Sequence, residues 1–346
     1  MNSFGFWLEQ NSKNEQEPFD VDVLLNFNLW CEHSHGTSKD LDFGFKLTKA
    51  NDAKQSIEKY RISEHVSTLA LYCPFVIKED QIIDLYDVLV SKQSKVLGAV
   101  FNEKCQATFS DSKPYTKVTF PGGSNDGFTI CKISDFKTKK EQAGTLVRIE
   151  LSDSLPEGPL YFRFRLSGSA VADLVQQFDS KDSPLTTAFS RDEIVDFRFN
   201  DYRTLPDLIN DKVEGIGLKI HIRSVQAHFL LMTDSGVEVD SGIELKEKRL
   251  LEEDLWDEYL AKGHNKAGNR HIFGRSSTNI VAYHWKKTDL SLSDGFRLYL
   301  KLRLYVCNGK TIAKYLMILF VITFVFDVIE QLILKLPCFC FLGGGY

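Results

Sequence analysis

From Thr311 onward the chain reads TIAKYLMILFVITFVFDVIEQLILKLPCFCFLGGGY, with no charge between Tyr315 and Phe326 and apolar residues continuing to Leu336. About 20 mainly apolar residues in a helix cross the ~30 Å hydrocarbon layer of a bilayer, and Ile312 to Leu334 meets that length. A segment of this kind leaves residues 1–309 to build a core without it. Asp327, Glu330 and Gln331 interrupt the run. A central acid costs ~3 kcal/mol on the insertion scale and each Leu, Ile, Phe or Val returns ~0.3 to 0.6, so acids and apolar residues nearly balance. A buried or interfacial helix of a soluble fold is the competing expectation.

Lys301, Arg303, Lys310 and Lys314 precede the segment and only Lys335 follows it closely. By the positive-inside rule this predicts a single-pass C-terminal membrane anchor with the N-terminal body in the cytoplasm. Asp327, Glu330 and Gln331 stand at i, i+3 and i+4 and share one helix face. That polar face predicts either a homo-oligomer through the C-terminal helix or an early end to the hydrocarbon span, with the acids among headgroups. Cys338 and Cys340 stand where acylation occurs, although small thiols at a helix end are commoner than lipid anchors. A further expectation makes the final residues, with their abrupt FLGGGY, an altered or truncated end of a longer membrane region.

The body has an ordinary globular composition: 346 residues in all, 43% hydrophobic and 26% charged. A net charge of -5 argues against wholesale coating of nucleic acid while leaving local basic surfaces open. Seven cysteines without a Cys-x-x-Cys pair imply reduced thiols rather than a disulfide framework. Residues 1–18 lack the basic start and apolar stretch of a secretory signal and are expected to be a loose polar tail.

Phe19 to Cys31, FDVDVLLNFNLWC, alternates with period two, which predicts a half-buried strand. Similar strands are expected at Val66–Ile77, Lys95–Phe101, Lys117–Phe120, Gly127–Ile133, Ile194–Phe199, Leu218–Met232, Ile280–Lys286 and Phe296–Val306. SLPEGP suggests a hairpin spanning Thr145–Ser167. Helices are expected at Asp80–Lys92, Ser169–Phe178 and Ile243–Lys262. The fold class is therefore mainly β, an antiparallel β-sandwich-like body with a few helices, plus a C-terminal hydrophobic transmembrane helix. The domain plan is a tail at 1–18, a β-rich domain at 19–178, a second one or a continuation of the same fold at 190–309, and a membrane segment at 310–346. The polar stretch Asp179–Thr187 is the candidate boundary.

Cys31, His33 and His35 are the first candidate for chemistry. Alternate strand residues stand ~6.5 to 7 Å apart, so Cys31 and His35 are too far apart for one tetrahedral zinc. His33 with His35 would need a third ligand, for which His65 and Cys73 are merely of the right type. No metal site and no cofactor is expected.

Anion binding has two candidate sources. The loop KGHNKAGNRHIFGRSS brings Lys262, His264, Lys266, Arg270, His271 and Arg275 among glycines, chemistry that suits a phosphate-bearing ligand. It lacks the Lys and Ser/Thr of a P-loop. Strands with basic outer faces are the second source: Tyr161, Arg163 and Arg165; Lys219, His221 and Arg223; and Arg297, Tyr299, Lys301, Arg303 and Tyr305. In one sheet these would form a basic, aromatic surface for a nucleotide, nucleic acid or anionic lipid headgroups, although such residues are also common on wet sheet faces.

No Gly-x-Ser-x-Gly, His-Glu-x-x-His, Gly-x-Gly-x-x-Gly or calcium-loop pattern is present, which does not exclude an enzyme; the pairing of a catalytically unremarkable sheet region with one terminal apolar segment favours a non-enzymatic role. The expected function is a membrane-anchored cytoplasmic β-rich binding or sensor protein, in a sharper version a ligand-triggered membrane effector. Its partners would be membrane lipid and a nucleotide, nucleic acid or protein. The layout is similar to that of membrane-disrupting effectors of bacterial immune systems, a likeness of architecture carried by no motif. The alternative is a membrane-tethered phosphodiesterase or nuclease using His264 and His271.

Overall fold

The computed structural model describes the chain outside residues 1–2, 15–17, 32, 34–38, 51–59, 92–95, 102, 109–112, 122–126, 179–189, 216–218, 253–254, 257–258, 261–278, 306–308 and 336–346. It is mostly β, in antiparallel and mixed sheets, with an apolar C-terminal helix at Gly309–Lys335. The chain divides into two units, Met1–Gln176 with Ile194–Leu302, and Gln177–Glu193 with Arg303–Tyr346.

The strands are β1 (Gly5–Gln10), β2 (Phe19–Cys31), β3 (Lys39–Lys49), β4 (Val66–Cys73), β5 (Ile82–Asp84), β6 (Gln106–Thr108), β7 (Tyr115–Thr119), β8 (Phe128–Cys131), β9 (Lys137–Glu141) and β10 (Gly144–Glu150). They continue with β11 (Leu160–Ser167), β12 (Val175–Phe178), β13 (Ser190–Phe199), β14 (Ile220–Asp234), β15 (Val237–Ser241), β16 (Glu247–Leu250), β17 (Ile280–Leu290) and β18 (Phe296–Tyr305). The large sheet has the order β16-β17-β14-β2-β3-β11-β8-β7-β6, with β5 also paired to β11. Two smaller sheets have the orders β1-β4-β10-β9 and β12-β13-β18-β15. β14 and β17, from beyond the candidate boundary, extend the sheet begun by β2 and β3, and β14 runs parallel to β2.

Alternation on β2 works as its sequence implies: Phe19, Val21, Val23, Leu25, Phe27, Leu29 and Cys31 are all buried. Register sets Phe27 between Phe43 of β3 and Phe229 of β14. Over this face pack Phe6 of β1 and Phe197 and Phe199 of β13, with ring centroids 4.8 Å apart for Phe6–Phe45, 4.8 Å for Phe27–Phe199 and 4.9 Å for Phe197–Phe229. Each ring removes ~150 to 250 Å² from water, which outweighs the cost of ordering the chain end. Gly5–Gln10 is therefore a strand paired with β4 rather than part of a loose tail.

The opposite face of the large sheet is also covered, by short helices at Tyr86–Leu89 and Val96–Phe101 and by helical residues 255–256 and 259–260. This cover differs from the expected elements. Val96–Phe101 is a helix where a strand was expected, since six apolar residues satisfy either period. Asp80–Lys92 contains β5 before its helical turn, and Ile243–Lys262 contains β16. Ser169–Phe178 is one helical turn, Ser169–Ala172, followed by β12. The strands flanking SLPEGP do not form a hairpin, because β10 pairs with β4 and β9 whereas β11 joins the large sheet.

Candidate functional site

The covered second face carries polar side chains in registered rows. Pairing aligns Glu247 with His284, His284 with Leu230, Leu230 with Asn28, Asn28 with Asp42 and Asp42 with Arg165. In the neighbouring row Lys286 opposes His228, His228 opposes Asn26, Asn26 opposes Gly44 and Gly44 opposes Arg163. Strand pairing thus gathers onto one face residues scattered over more than 250 positions of sequence.

At the centre Asp42 accepts hydrogen bonds from Arg165 Nε at 2.6 Å and Nη2 at 3.1 Å, from Trp30 Nε1 at 2.9 Å and from the Tyr259 hydroxyl at 2.7 Å. Burial by itself would raise the Asp42 carboxyl, but Arg165, Arg163 and the Tyr259 hydroxyl overcome that penalty and hold it below its ordinary value. Arg163 donates from Nε to Tyr259 at 2.8 Å and from Nη1 to the Tyr161 hydroxyl at 3.0 Å. With its amide turned to satisfy both neighbours, Asn28 accepts from Arg163 at 2.6 Å. Gly44 makes room for this cluster, since a Cβ there would fall 2.3 Å from the Tyr161 hydroxyl oxygen. Asp40, fully buried, stands 3.8 Å from Arg165, and burial pushes its carboxyl up to about 6.

Beside the cluster lies a cavity of about 260 Å³, lined by Asn26 and Asn28 of β2, Arg163, His228 of β14, His284 of β17, Lys246, Glu247 and Arg249, with Ala99 to Phe101 along one side. Gln226 Nε2 lies 2.7 Å from His228 Nε2, and His228 Nδ1 lies 3.2 Å from His284 Nε2. If the amide nitrogen donates, His228 Nε2 accepts and His228 carries its proton on Nδ1, which it donates to His284. His284 then carries its own proton on Nδ1, 4.0 Å from a Glu247 carboxylate oxygen. Burial, then His284, Lys286 and Lys246, push His228 down to about 3. Burial and Lys246 likewise lower His284, against the opposing pull of Glu247. Both imidazoles are neutral at pH 7, in a pocket whose other charges are mainly positive. A second cavity, about 410 Å³, is lined by Trp7, Lys212, His221 and Ser291 among others, and brings together fewer ionisable groups.

The expected basic strands have separate fates. Tyr161, Arg163 and Arg165 are buried rather than outward, because the second face of β11 is covered, and both guanidinium groups serve the Asp42 cluster. On β18 the alternation holds, with Phe296, Leu298, Leu300, Leu302 and Leu304 buried. Its cations bind acids: Arg297 reaches Asp201 at 3.0 Å and Arg303 reaches Asp192 at 3.2 Å, and Lys301 is half-buried. Lys219 and His221 are exposed, and Arg223 stands 3.5 Å from Asp20. β11 and β14 share the large sheet but β18 does not, so the three strands do not make one basic surface.

His33 lies near Lys39 Nζ at 3.1 Å, Thr233 Oγ1 at 3.3 Å and Asp234 at 3.5 Å, whereas Cys31 is buried. His65 stacks on Phe19 at 4.1 Å, and burial pushes the Cys73 thiol up. Among the described residues no group of three His, Cys, Asp or Glu side chains is placed to hold a metal ion. His35, Lys262, His264, Lys266, Arg270, His271, Arg275, Cys338 and Cys340 lie outside the described residues, as does the candidate boundary. His228, His284 and Arg249 were not singled out in the sequence. Their signal was present as polar residues alternating with Phe229, Tyr283 and Trp285, but that pattern is also the mark of a wet face.

No family model matches the sequence, and no curated protein matches it. Among solved structures, leukotriene A4 hydrolase from Saccharomyces cerevisiae aligns at 10% identity and a TM-score of 0.33, covering 86% of this chain and 30% of that one. An M1 zinc metallopeptidase from Deinococcus radiodurans aligns at 6% identity and a TM-score of 0.26, covering 83% of this chain and 42% of that one. The chain spans less than half the length of these proteins. At such TM-scores the likeness carries neither fold kinship nor zinc chemistry to this chain.

Proposed function

We propose that this chain is a membrane-anchored binding protein, with its helix Gly309–Lys335 crossing a bilayer and its β-rich body taking a small polar ligand in the cavity beside Arg163. The supporting observation is the helix itself. Ile312–Leu334 is long and apolar enough to span, and none of its apolar window is buried. Phe320, Phe326 and Leu334 are each more than 60% exposed, an arrangement that hydrocarbon satisfies and water does not. The cations before the helix outnumber those following it closely, which supports a body on the cytoplasmic side.

The test is alkaline carbonate extraction of membranes carrying the full chain. Wild type is expected to stay with the membrane. A double substitution, Phe320→Lys with Phe324→Lys, adds ~6 kcal/mol to insertion at the helix centre and is expected to release the protein. Release of the wild type would overturn the anchored reading.

The polar face of Asp327, Glu330 and Gln331 supports a second element of the proposal, self-association within the bilayer. Crosslinking in vesicles should then yield dimers or higher species that fall sharply in a Glu330→Leu, Gln331→Leu variant. Equal crosslinking in both would remove the helix as the association surface.

A further inference from the structure

We infer that the cavity between β2, β14, β17 and β16 binds a small oxyanion, a phosphoryl, sulfate or carboxylate group, and takes up one proton on the His228–His284 pair as it does so. This rests on the reading of the body as a ligand-binding unit and gives it a chemical class.

The charges around the cavity select the sign of the ligand. His228 is opposed across the strand pair by Lys286, and Lys246 and Arg249 enter from the β16 side, while Arg163 lies buried at the cavity wall. Glu247 is the one acid lining it. The other walls, Asn26, Asn28, Leu230, Ala282 and residues 99–101, carry no charge. The lining holds three cations, Arg163, Lys246 and Arg249, against the carboxylate of Glu247, with Lys286 opposite His228; Arg163 also faces Asp42 at 3.6 Å and Arg249 faces Glu252 at 3.9 Å, and the remaining excess of positive charge favours an anion over a metal ion. The nitrogen spacing of 3.2 Å between His228 and His284 is therefore assigned to a hydrogen bond rather than to shared metal ligation. Lys246 is exposed and marks the solvent side of the cavity. The volume is below that of a typical drug-sized site, which limits the ligand to a small metabolite or an inorganic ion.

Burial first, and the nearby lysines after it, keep the imidazole pair neutral in the free protein. A bound oxyanion beside the rings offsets this penalty, so protonation becomes favourable once it is bound. The geometry limits the uptake to one proton. A second would place N–H groups on both His228 Nδ1 and His284 Nε2, donor against donor at 3.2 Å. A single proton is accommodated on His228 Nε2 if the Gln226 amide turns its oxygen toward it, leaving the His228–His284 hydrogen bond intact.

The test is calorimetric titration of the detergent-solubilised full chain with sulfate, whose charge is constant across the range, at about pH 7.5 and about pH 5.5. One coupled proton tightens binding by up to tenfold per pH unit, so wild type is expected to bind tighter at the lower pH, by up to about a hundredfold. His228→Gln should keep binding but bring the ratio close to one. Arg249→Gln, on a partly exposed edge-strand residue that is less exposed to misfolding, should weaken binding at both pH values with the ratio preserved. Sulfate binding with no pH dependence in wild type would overturn the proton coupling alone and leave the binding body standing. Absence of heat with sulfate, inorganic phosphate and succinate would overturn both. Zinc binding that is lost in His228→Gln would assign the pair to a cation instead and overturn the proposal.

Discussion

The Arg165 guanidinium lies on the Asp42 carboxylate, with Nε 2.6 Å from Oδ1, and neither side chain has measurable exposure to solvent. Asp42 also faces Arg163 at 3.6 Å, so one carboxylate serves two buried cations. Removing a partner from such a group leaves uncompensated charge in the interior. Asp42→Ala is expected to destabilise the body by ~3 to 5 kcal/mol, read as a drop in the midpoint of chemical unfolding. A loss below ~1 kcal/mol would mean that water reaches the cluster.

Gly44 tests the same cluster through shape alone. Its missing side chain admits the Tyr161 hydroxyl, which Arg163 uses as an acceptor. Gly44→Ala forces that hydroxyl away and is expected to cost ~1 to 3 kcal/mol, with no change of charge anywhere. An unchanged melting temperature would show that β3 can shift to absorb a methyl group.

The histidine pair predicts the acid limb of stability. His228 and His284 have folded values below their ordinary one, so the unfolded chain binds protons that the folded protein refuses. Their contribution is complete above about pH 6.5 and is lost as pH falls below it, for His228 down to about 3, at up to ~1.4 kcal/mol per pH unit for each titrating ring. In His228→Gln that slope should shrink. An identical slope in wild type and variant would place acid sensitivity elsewhere.

Asp84 works in the opposite direction. Burial, only partly offset by hydrogen bonds from the backbone amides of Tyr86 and Ile133, pushes its carboxyl up to about 7. The folded protein therefore holds a proton that the unfolded chain releases, and this contribution to stability falls as pH rises from 3.8 to about 7. Asp84→Asn removes the titration but keeps only one of the two acceptor oxygens, setting an amide NH2 against the other backbone N–H; whatever that costs at low pH, the variant should gain on wild type as pH rises through that window. Parallel pH profiles would show that Asp84 stays ionised throughout.

The aromatic core gives a prediction independent of charge. Phe27 is fully buried, with Phe197 and Phe199 at centroid distances of 4.9 and 4.8 Å. Phe27→Ala is expected to destabilise by ~3 to 5 kcal/mol by lost transfer energy and a residual cavity. Equilibrium unfolding in denaturant reads this directly, and a cost below ~1.5 kcal/mol would imply that the surrounding rings collapse into the gap.

How much of this was visible beforehand depends on how local the signal is. The alternation in Phe19–Cys31 and Phe296–Tyr305 identifies the strands and their Phe- and Leu-rich faces, because period two follows from the pleat alone. β3 carries the same sign in Leu41, Phe43, Phe45 and Leu47. The length and continuity of Ile312–Leu334 are enough to mark a helix that a membrane could hold. These features depend on neighbours within a few residues.

The function of the polar face does not. Asn26, Asn28, Arg163 and His228 look like residues meant for water, and alternation gives no means of knowing that helical residues 96–101, 255–256 and 259–260 cover them. Nor does any local pattern bring Glu247, His284, Leu230, Asn28, Asp42 and Arg165 into one row, which needs five strand pairings, one of them parallel and joining segments some 200 residues apart. Periodicity states which side of a strand a residue occupies. Whether that side meets solvent, a buried carboxylate or a ligand cavity is set by what the rest of the chain packs against it.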